Sequence, residues 1–270
     1  MPVRLSPDES LAAARERLGR PLIGIWVCSG SPLVAEICAG SGADWLFFDA
    51  EHSPNDVVTL LPQLQAAAGY PVVSVARPPL NDTAVIKQFL DTGVTTLIVP
   101  MVDTAEQAEA AARAVAYPPA GVRGVGSALA RSGRWNRVPD YLPNARESLT
   151  LVVQIESVTA VENLEAIAAV EGVDALFVGP SDLAASMGLI GQQNDPRIEE
   201  AVLRAIEVGH AHGKLVGVNA FAQASAKRYL EAGADFISVG ADVSILARGT
   251  EALVDAFSPD DGGSPLAAGY

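Results

Sequence analysis

The chain has 270 residues, is 49% apolar and carries a formal net charge of −14. That length and apolar content suit one large α/β domain or two small ones, and the acidic balance argues against nucleic acid or an anionic membrane as a partner. The first residues, MPVRLSPDES, hold no apolar signal core, no apolar run is long enough to span a bilayer, and Cys28 and Cys38 make no disulfide framework, so a reducing cytoplasm is the expected setting.

In chain order, Ser6-Pro7-Asp8-Glu9 has the pattern of a capping box with proline at the first helical position, and predicts a helix through LAAARERL that stops at Gly19. A strand at Leu22–Val27 and a helix from Ser31-Pro32 to Gly42 follow. Trp45–Phe48 is a second strand, ending on Asp49-Ala50-Glu51-His52, with a helix from about Asn55 to Ala68 behind it. The strand Val72–Ala76 ends on Arg77 and is stopped by Pro78-Pro79. Next come a helix near Thr83–Leu90, a strand at Thr96–Val99 and a helix at Asp103–Ala116, closed by Pro118-Pro119. Residues 120–148, with GVRGVGSALARSGRWNRVPDYL, read as a long functional loop. Leu151–Ile155 and Ala175–Val178 are apolar almost throughout, as strands buried on both faces of a parallel sheet are. Asp195-Pro196 caps a long helix through IEEAVLRAIEVGHAH, Leu215–Val218 and Phe236–Val239 are the last strands, and a helix runs from about Val243 to Ala256. The tail SPDDGGSPLAAGY is expected to be disordered.

Eight strands alternating with helices predict a (β/α)8 barrel. Gly-Ala-Asp44, Gly-Val-Thr95, Gly-Val-Asp174 and Gly-Ala-Asp235 echo one another where a helix ends and a strand begins, which supports that count. The expectation is one barrel domain over residues 1–257 with an N-terminal helix, then a tail at 258–270. An open doubly wound sheet predicts fewer strands and a glycine-rich first turn, which Cys28-Ser29-Gly30-Ser31 resembles poorly.

In such a barrel chemistry gathers at the C-terminal strand ends. Those ends carry Asp49 and His52, then Arg77, then Gln154 and Glu156, then Ser181 and Asp182. Glu156 and Asp182, hard oxygen donors beside an amide and a hydroxyl, suit a divalent cation such as Mg²⁺ or Mn²⁺; they equally suit the first turns of the helices that follow. Asp49, three residues before His52, suits a carboxylate that orients a general base. Arg77 suits a substrate carboxylate and developing negative charge, or a structural ion pair inside the barrel. His210 and His212 read as surface residues. The three lysines, Lys87, Lys214 and Lys227, fall in helices or at the wrong end of a strand, which disfavours Schiff-base chemistry. The Gly121–Gly126 run resembles a phosphate loop only superficially, since no Lys-Ser/Thr follows it.

The segments DWLFFDAEHSPND, VARPP, TLIVPMV, YPPAGVRGVGSALARSGRWN, VQIES and VEGVDALFVGPSDLAASMG resemble the HpcH/HpaI aldolase family, the metal-dependent class II pyruvate aldolases, over about residues 20–257. The resemblance implies a pyruvate-type (β/α)8 barrel, assembled as a homohexamer or trimer of dimers with an exchanged C-terminal helix. It implies reversible aldol cleavage of a 4-hydroxy-2-keto acid to pyruvate and an aldehyde, such as succinic semialdehyde or a hydroxyaldehyde, in the catabolism of aromatic compounds. It implies His52 as the catalytic base, Asp49 as its partner, Arg77 as transition-state stabiliser and substrate contact, and Asp91 as an acid that raises the basicity of His52. Sequence position alone makes Asp91 an ordinary helix-end residue. Glu156 and Asp182 correspond to metal ligands, and Gln154, Ser181 and Asp182 to contacts with the keto acid. The implied cofactor is Mg²⁺ or Mn²⁺, with Co²⁺ and Zn²⁺ as further candidates. An acyl-CoA ester lyase of the citrate-lyase-beta type is the nearest alternative, and it needs a basic or adenine-binding surface, which only the Arg131–Arg137 region offers. A two-carboxylate glycosidase and a silent binding barrel are more remote.

Overall fold

Short runs rich in β-branched and aromatic residues alternate with helices from one end of the chain to the other. The computed structural model describes residues 6–258; residues 1–5 and 259–270, which include nearly all of the tail expected to be disordered, lie outside the described residues. The strands are β1 (Leu22–Val27), β2 (Trp45–Asp49), β3 (Val73–Arg77), β4 (Thr96–Val99), β5 (Thr150–Ile155), β6 (Ala175–Val178), β7 (Leu215–Asn219) and β8 (Phe236–Ala241). Each pairs in parallel with the next and β8 returns to β1, so the described residues form a closed (β/α)8 barrel. The helices are α1 (Leu11–Leu18), α2 (Pro32–Ala39), α3 (Val57–Ala67), α4 (Thr83–Asp91), α5 (Ala105–Val115), α6 (Tyr141–Asn144), α7 (Val158–Glu162), α8 (Leu164–Ala168), α9 (Pro180–Ser186), α10 (Pro196–Ala211), α11 (Gln223–Glu231) and α12 (Asp242–Asp255).

Strand alternation sorts side chains into two packed layers. Trp45 and Phe47 of β2 join Phe177 and Phe236 in the inner cluster, where the Phe47–Phe177 and Phe177–Phe236 ring centroids are 5.7 and 5.9 Å apart. Leu46 and Phe48, one residue out of phase, join the larger cluster shared with residues of the helices. Glycines make room for the inner rings. A Cβ at Gly217 would come within 2.2 Å of the Phe236 ring, and one at Gly24 within 2.2 Å of the Trp45 ring.

The recurring aspartates have a shared job. Asp44, Asp174 and Asp235, each just before a strand, accept from the amides of Ile23, Leu151 and Val216 near the start of the preceding strand, at 2.9, 2.6 and 2.9 Å. Each also pairs with an arginine: Arg20, Arg146 and Arg15 respectively. Thr95, in the fourth copy, donates instead to the Glu9 carbonyl.

Helix α1 differs from expectation. Ser6 does not open it; Ser10 caps it, and the amides of Leu11 and Ala12 donate to Thr96 Oγ1 and Thr150 Oγ1 at 2.9 and 3.1 Å. Those hydroxyls stand at the first residues of β4 and β5, so the helix start is set by its docking on the barrel floor. Asp8 and Glu9 pair with Arg134 and Arg17 rather than forming a capping box. Helix α2 ends at Ala39, and Gly42 occupies the turn beyond it at φ 89°. The long loop holds α6 and a 3-10 turn at Ala145–Ser148. Arg134, Trp135 and Asn136 run through successive left-handed conformations there, tied down by Arg134–Asp8 and Ser127–Asn136 bonds.

Gly217→Ala should overpack the inner layer and lower stability by about 1–3 kcal/mol. Urea melts of the variant and wild type check this; equal midpoints would mean that the Phe236 ring yields without cost.

Candidate active site

The C-terminal strand ends open into a cavity of about 650 Å³. Its walls include Asp49, His52, Arg77, Gln154, Ser181 and Asp182 of the residues singled out in the sequence. Arg77 is the centre of this group. Register pairs Asp49 with Arg77 across β2 and β3, which sets the two side chains at adjacent strand ends. The Arg77 guanidinium is 1% exposed and donates from Nε and Nη2 to the two Asp49 oxygens, both at 2.8 Å. Its Nη1 donates to Gln154 Oε1 at 3.3 Å and lies 2.9 Å from Glu51 Oε2. The rings of Trp26 and Phe47 lie 4.8 and 5.4 Å from its central carbon. Burial opposes the charge, but bonding to Asp49 and the fields of Glu51 and Glu156 hold Arg77 above its ordinary pKa. It is a permanent, fixed cation.

Asp49 does not meet the His52 ring. Its oxygens are taken by the guanidinium fork and by the backbone amides of Glu51 and His52 at 3.0 and 3.3 Å. Asp49 therefore orients His52 through the main chain, in place of the expected carboxylate–imidazole pair, because a planar guanidinium satisfies both oxygens at once. The imidazole is free to face the cavity, 60% exposed, with Nε2 3.9 Å from Glu51 Oε2.

Glu156 is buried at the end of β5. Its carboxylate accepts from the Met101 amide at 2.7 Å and from the Gln154 side-chain amide. Met101 takes φ 53°, so a left-handed residue after β4 aims that amide inward. Burial pushes the Glu156 carboxyl up to about 7; the Met101 amide opposes this, and the charges of Glu51 and Asp182 add to it. Asp182 is exposed in the first turn of α9. Gly179, the residue before α9, presses on the same groups: a Cβ there would lie 3.0 Å from both Gln154 Nε2 and Glu156 Oε2.

Asp91 is not brought to this cavity. It ends α4 and stands 3.3 Å from Arg123 of the long loop, so within the chain it is an ion-pair partner rather than a neighbour of His52. Glu51 is the acid that sequence reasoning passed over. Burial raises its pKa, Arg77 lowers it, and Asp49 and Asp182 raise it again. The signal was present in Asp-Ala-Glu-His, where a second carboxylate follows Asp49 in the turn off the same strand.

Among the described residues no three His, Cys, Asp or Glu side chains stand together as a ready metal cage. The donor chemistry nonetheless fits a hard divalent cation. Asp49 and Glu51 pair with one cation, Arg77, whose charge also acts on Glu156, and each of Glu51 and Asp182 raises the pKa of Glu156.

Comparison with known proteins bears on this arrangement directly. The family model for HpcH/HpaI aldolase/citrate lyase matches residues 22–248, from the start of β1 into α12. The chain belongs to this family. A 4-hydroxy-2-oxo-heptane-1,7-dioate aldolase of Salmonella arizonae is 50% identical over 244 residues, covering 90% of this chain and 93% of that protein. A solved HpcH/HpaI aldolase/citrate lyase family protein of Burkholderia cenocepacia is 40% identical with a TM-score of 0.85, covering 90% of this chain and 98% of its own. A citrate lyase beta subunit of Mycobacterium tuberculosis is 16% identical with a TM-score of 0.56, over 83% of this chain and 93% of that one, and shares the fold alone. Within the HpcH/HpaI family the aldolase reading is favoured over the citrate-lyase-beta alternative.

The raised carboxyl has a pH signature. Unfolded, Glu156 ionises near its ordinary 4.5, whereas folded it keeps its proton to about 7. Between these values the folded state binds more protons, so stability falls as pH rises through that window, by up to about 3 kcal/mol. In chelator-treated protein Glu156→Gln should flatten most of this decline. Denaturant melts at a series of pH values measure it, and a variant with the same decline as wild type would place the effect on another group.

Proposed function

We propose that this HpcH/HpaI family member catalyses reversible aldol cleavage of a 4-hydroxy-2-keto acid to pyruvate and an aldehyde, with a divalent cation as cofactor. The observation that carries the reading is the buried guanidinium of Arg77, fixed by Asp49 and opening into the same cavity as the exposed imidazole of His52. The reaction named for the Salmonella arizonae relative supports it.

In the cleavage direction the C4 hydroxyl loses a proton and the C3–C4 bond breaks. C4 becomes the aldehyde carbonyl, and the bonding pair passes through C3 to the C2 oxygen as a pyruvate enolate. Protonation at C3 completes pyruvate. In this reading His52 carries these protons; its ring is accessible, with Glu51 as the neighbouring carboxylate at 3.9 Å. Arg77 meets the developing negative charge with a donor already oriented and desolvated. Gln154 and Ser181 line the cavity where the keto acid is bound in this reading. Glu156 and Asp182 are the residues that would hold the cation, Mg²⁺ or Mn²⁺ ahead of Co²⁺ or Zn²⁺, and it would supply Lewis-acid stabilisation of the enolate. Cys28 also lines the cavity, but burial pushes its thiol up to about 12, which leaves no thiolate for covalent catalysis.

The same proposal includes a homohexamer or trimer of dimers. Ile245, Leu246, Leu253, Val254 and Phe257, exposed along and just beyond α12, supply an apolar face that supports assembly. It also includes a cytoplasmic setting, supported by the free thiols of Cys28 and Cys38. No described helix is long and apolar enough to cross a membrane.

Chelation should abolish pyruvate release and added Mg²⁺ or Mn²⁺ should restore it. Undiminished turnover after metal stripping, or borohydride trapping of pyruvate on a lysine, would remove the metal from the mechanism. His52→Ala should slow both aldol cleavage and pyruvate methyl-proton exchange by roughly 100-fold; proton exchange at the wild-type rate would give the base role to another group. Arg77→Ala should lose about 100- to 1000-fold, mainly in kcat, and steady-state kinetics showing a rise in KM alone would assign Arg77 to substrate binding.

A further inference from the structure

His52 stands on a turn that no helix or strand holds. Residues 50–56 lie between β2 and α3 and belong to neither. A group that carries protons needs a fixed place, because a misplacement of about 1 Å can cost about 100-fold in rate. Side-chain bonds have to supply here what a backbone ladder supplies elsewhere.

The turn closes on both functional groups of Asp49. Its carboxylate accepts from the amides of Glu51 and His52. Its main-chain carbonyl accepts from Ser53 Oγ and, at 2.7 Å, from Asn55 Nδ2. Asn55 is buried, and its amide touches every element around the turn. Nδ2 also donates to Ser53 Oγ at 2.9 Å and to the Val27 carbonyl at the end of β1 at 3.5 Å. Oδ1 accepts from Gln63 Nε2 of α3 at 2.8 Å. A Cβ at Gly30, in the loop after β1, would come within 3.3 Å of the same oxygen. One amide thus joins the ends of β1 and β2, the His52 turn and α3.

Gln63 shows that this orientation is built in. It is fully buried on a face of α3 whose other buried residues are Leu60, Leu64 and Ala67. Its Oε1 has no hydrogen-bond partner among the described residues, a cost that leucine at this position would avoid. Its Nε2 donates to the Thr59 carbonyl and to Asn55 Oδ1, both at 2.8 Å. With Oδ1 held by Gln63, Asn55 Nδ2 is turned to the Asp49 carbonyl. The asparagine is chemically specific. Aspartate has the same shape, but once ionised it only accepts, so it would set a carboxylate oxygen against that carbonyl.

We propose that Asn55, itself oriented by Gln63, is a positioning residue for His52: it closes the turn on Asp49 and so fixes where the imidazole meets the substrate. This rests on the aldolase reading, in which His52 carries the protons. Neither Asn55 nor Gln63 is among the residues that line the cavity, so each acts on the chemistry through a group that does.

The test follows pyruvate release from a 4-hydroxy-2-keto acid and methyl-proton exchange of pyruvate, both with Mg²⁺ present. It compares wild type, Asn55→Asp, Gln63→Leu, His52→Ala and the two double variants with His52→Ala. Asn55→Asp should lower kcat and the exchange rate together by about 10- to 100-fold with KM little changed, and Gln63→Leu should do the same to a smaller extent. In the His52→Ala background either change should remove little more, since a residue that acts through His52 then has nothing left to position. Gln63→Leu keeps the core filled, so it carries the test should Asn55→Asp fold poorly. Losses that multiply in the double variants, a rise in KM alone, or a lowered melting temperature with kcat intact each overturn the positioning role and leave the aldolase reading standing. Absence of both exchange and pyruvate release in wild type removes the aldolase reading, and the positioning role with it.

Discussion

The bidentate bond between Arg77 and Asp49 is the interaction on which the site depends. Both residues are almost fully buried, so neither charge is tolerable without the other. Deleting one partner of such a pair costs roughly 3–5 kcal/mol because the other is left uncompensated. The same carboxylate gathers the amides of Glu51 and His52, so one interaction aligns the guanidinium and folds the turn that carries the histidine. Support reaches it from behind: Asn55 donates to the Asp49 carbonyl at 2.7 Å, and Gln63 of α3 donates to Asn55 at 2.8 Å. Second-layer hydrogen bonds of this kind keep a site rigid where its loops alone would not.

Carboxylates do opposite work at the two ends of the barrel. At the N-terminal end, Asp44, Asp174 and Asp235 each bind a strand amide and each have an arginine of their own. These groups are satisfied, and they stitch neighbouring strands together. At the C-terminal end, Asp49 and Glu51 share one arginine, while Glu156 is pushed up to about 7 mainly by burial, with further repulsion from Glu51 and Asp182. Uncompensated buried charge is costly, and a fold that carries it has a use for a cation there. The contrast distinguishes the end that holds the barrel together from the end that does chemistry.

The aromatic interior connects the two. Phe47, Phe177 and Phe236 fill the barrel beneath the cavity, and Phe47 also lies under the Arg77 guanidinium. Trp26 packs against the face of that guanidinium while its indole N–H has no partner among the described residues. One ring thus stabilises the buried cation and lines the cavity beside it.

Much of this was legible in the sequence because strands and helices are written in local pattern. Apolar runs with polar residues at their ends mark all eight strands, and those ends carry Asp49, His52, Arg77, Gln154, Glu156, Ser181 and Asp182. The sequence by itself therefore determined the barrel, its order and the membership of most of the site. It could not say which side chain bonds to which. Asp49 was expected at the His52 ring, three residues away, but bonds to Arg77, 28 residues away, because β2–β3 register sets them side by side. Ser6 looked like a helix start, but the hydroxyls of Thr96 and Thr150 at the barrel floor moved that start to Leu11. Trp26 and Ser238, 212 residues apart in the chain, came onto adjacent strands only when β8 closed on β1. Local preference is settled by residues close in the chain, whereas charge pairing and polar satisfaction are settled by register and closure, which bring distant residues to one strand edge.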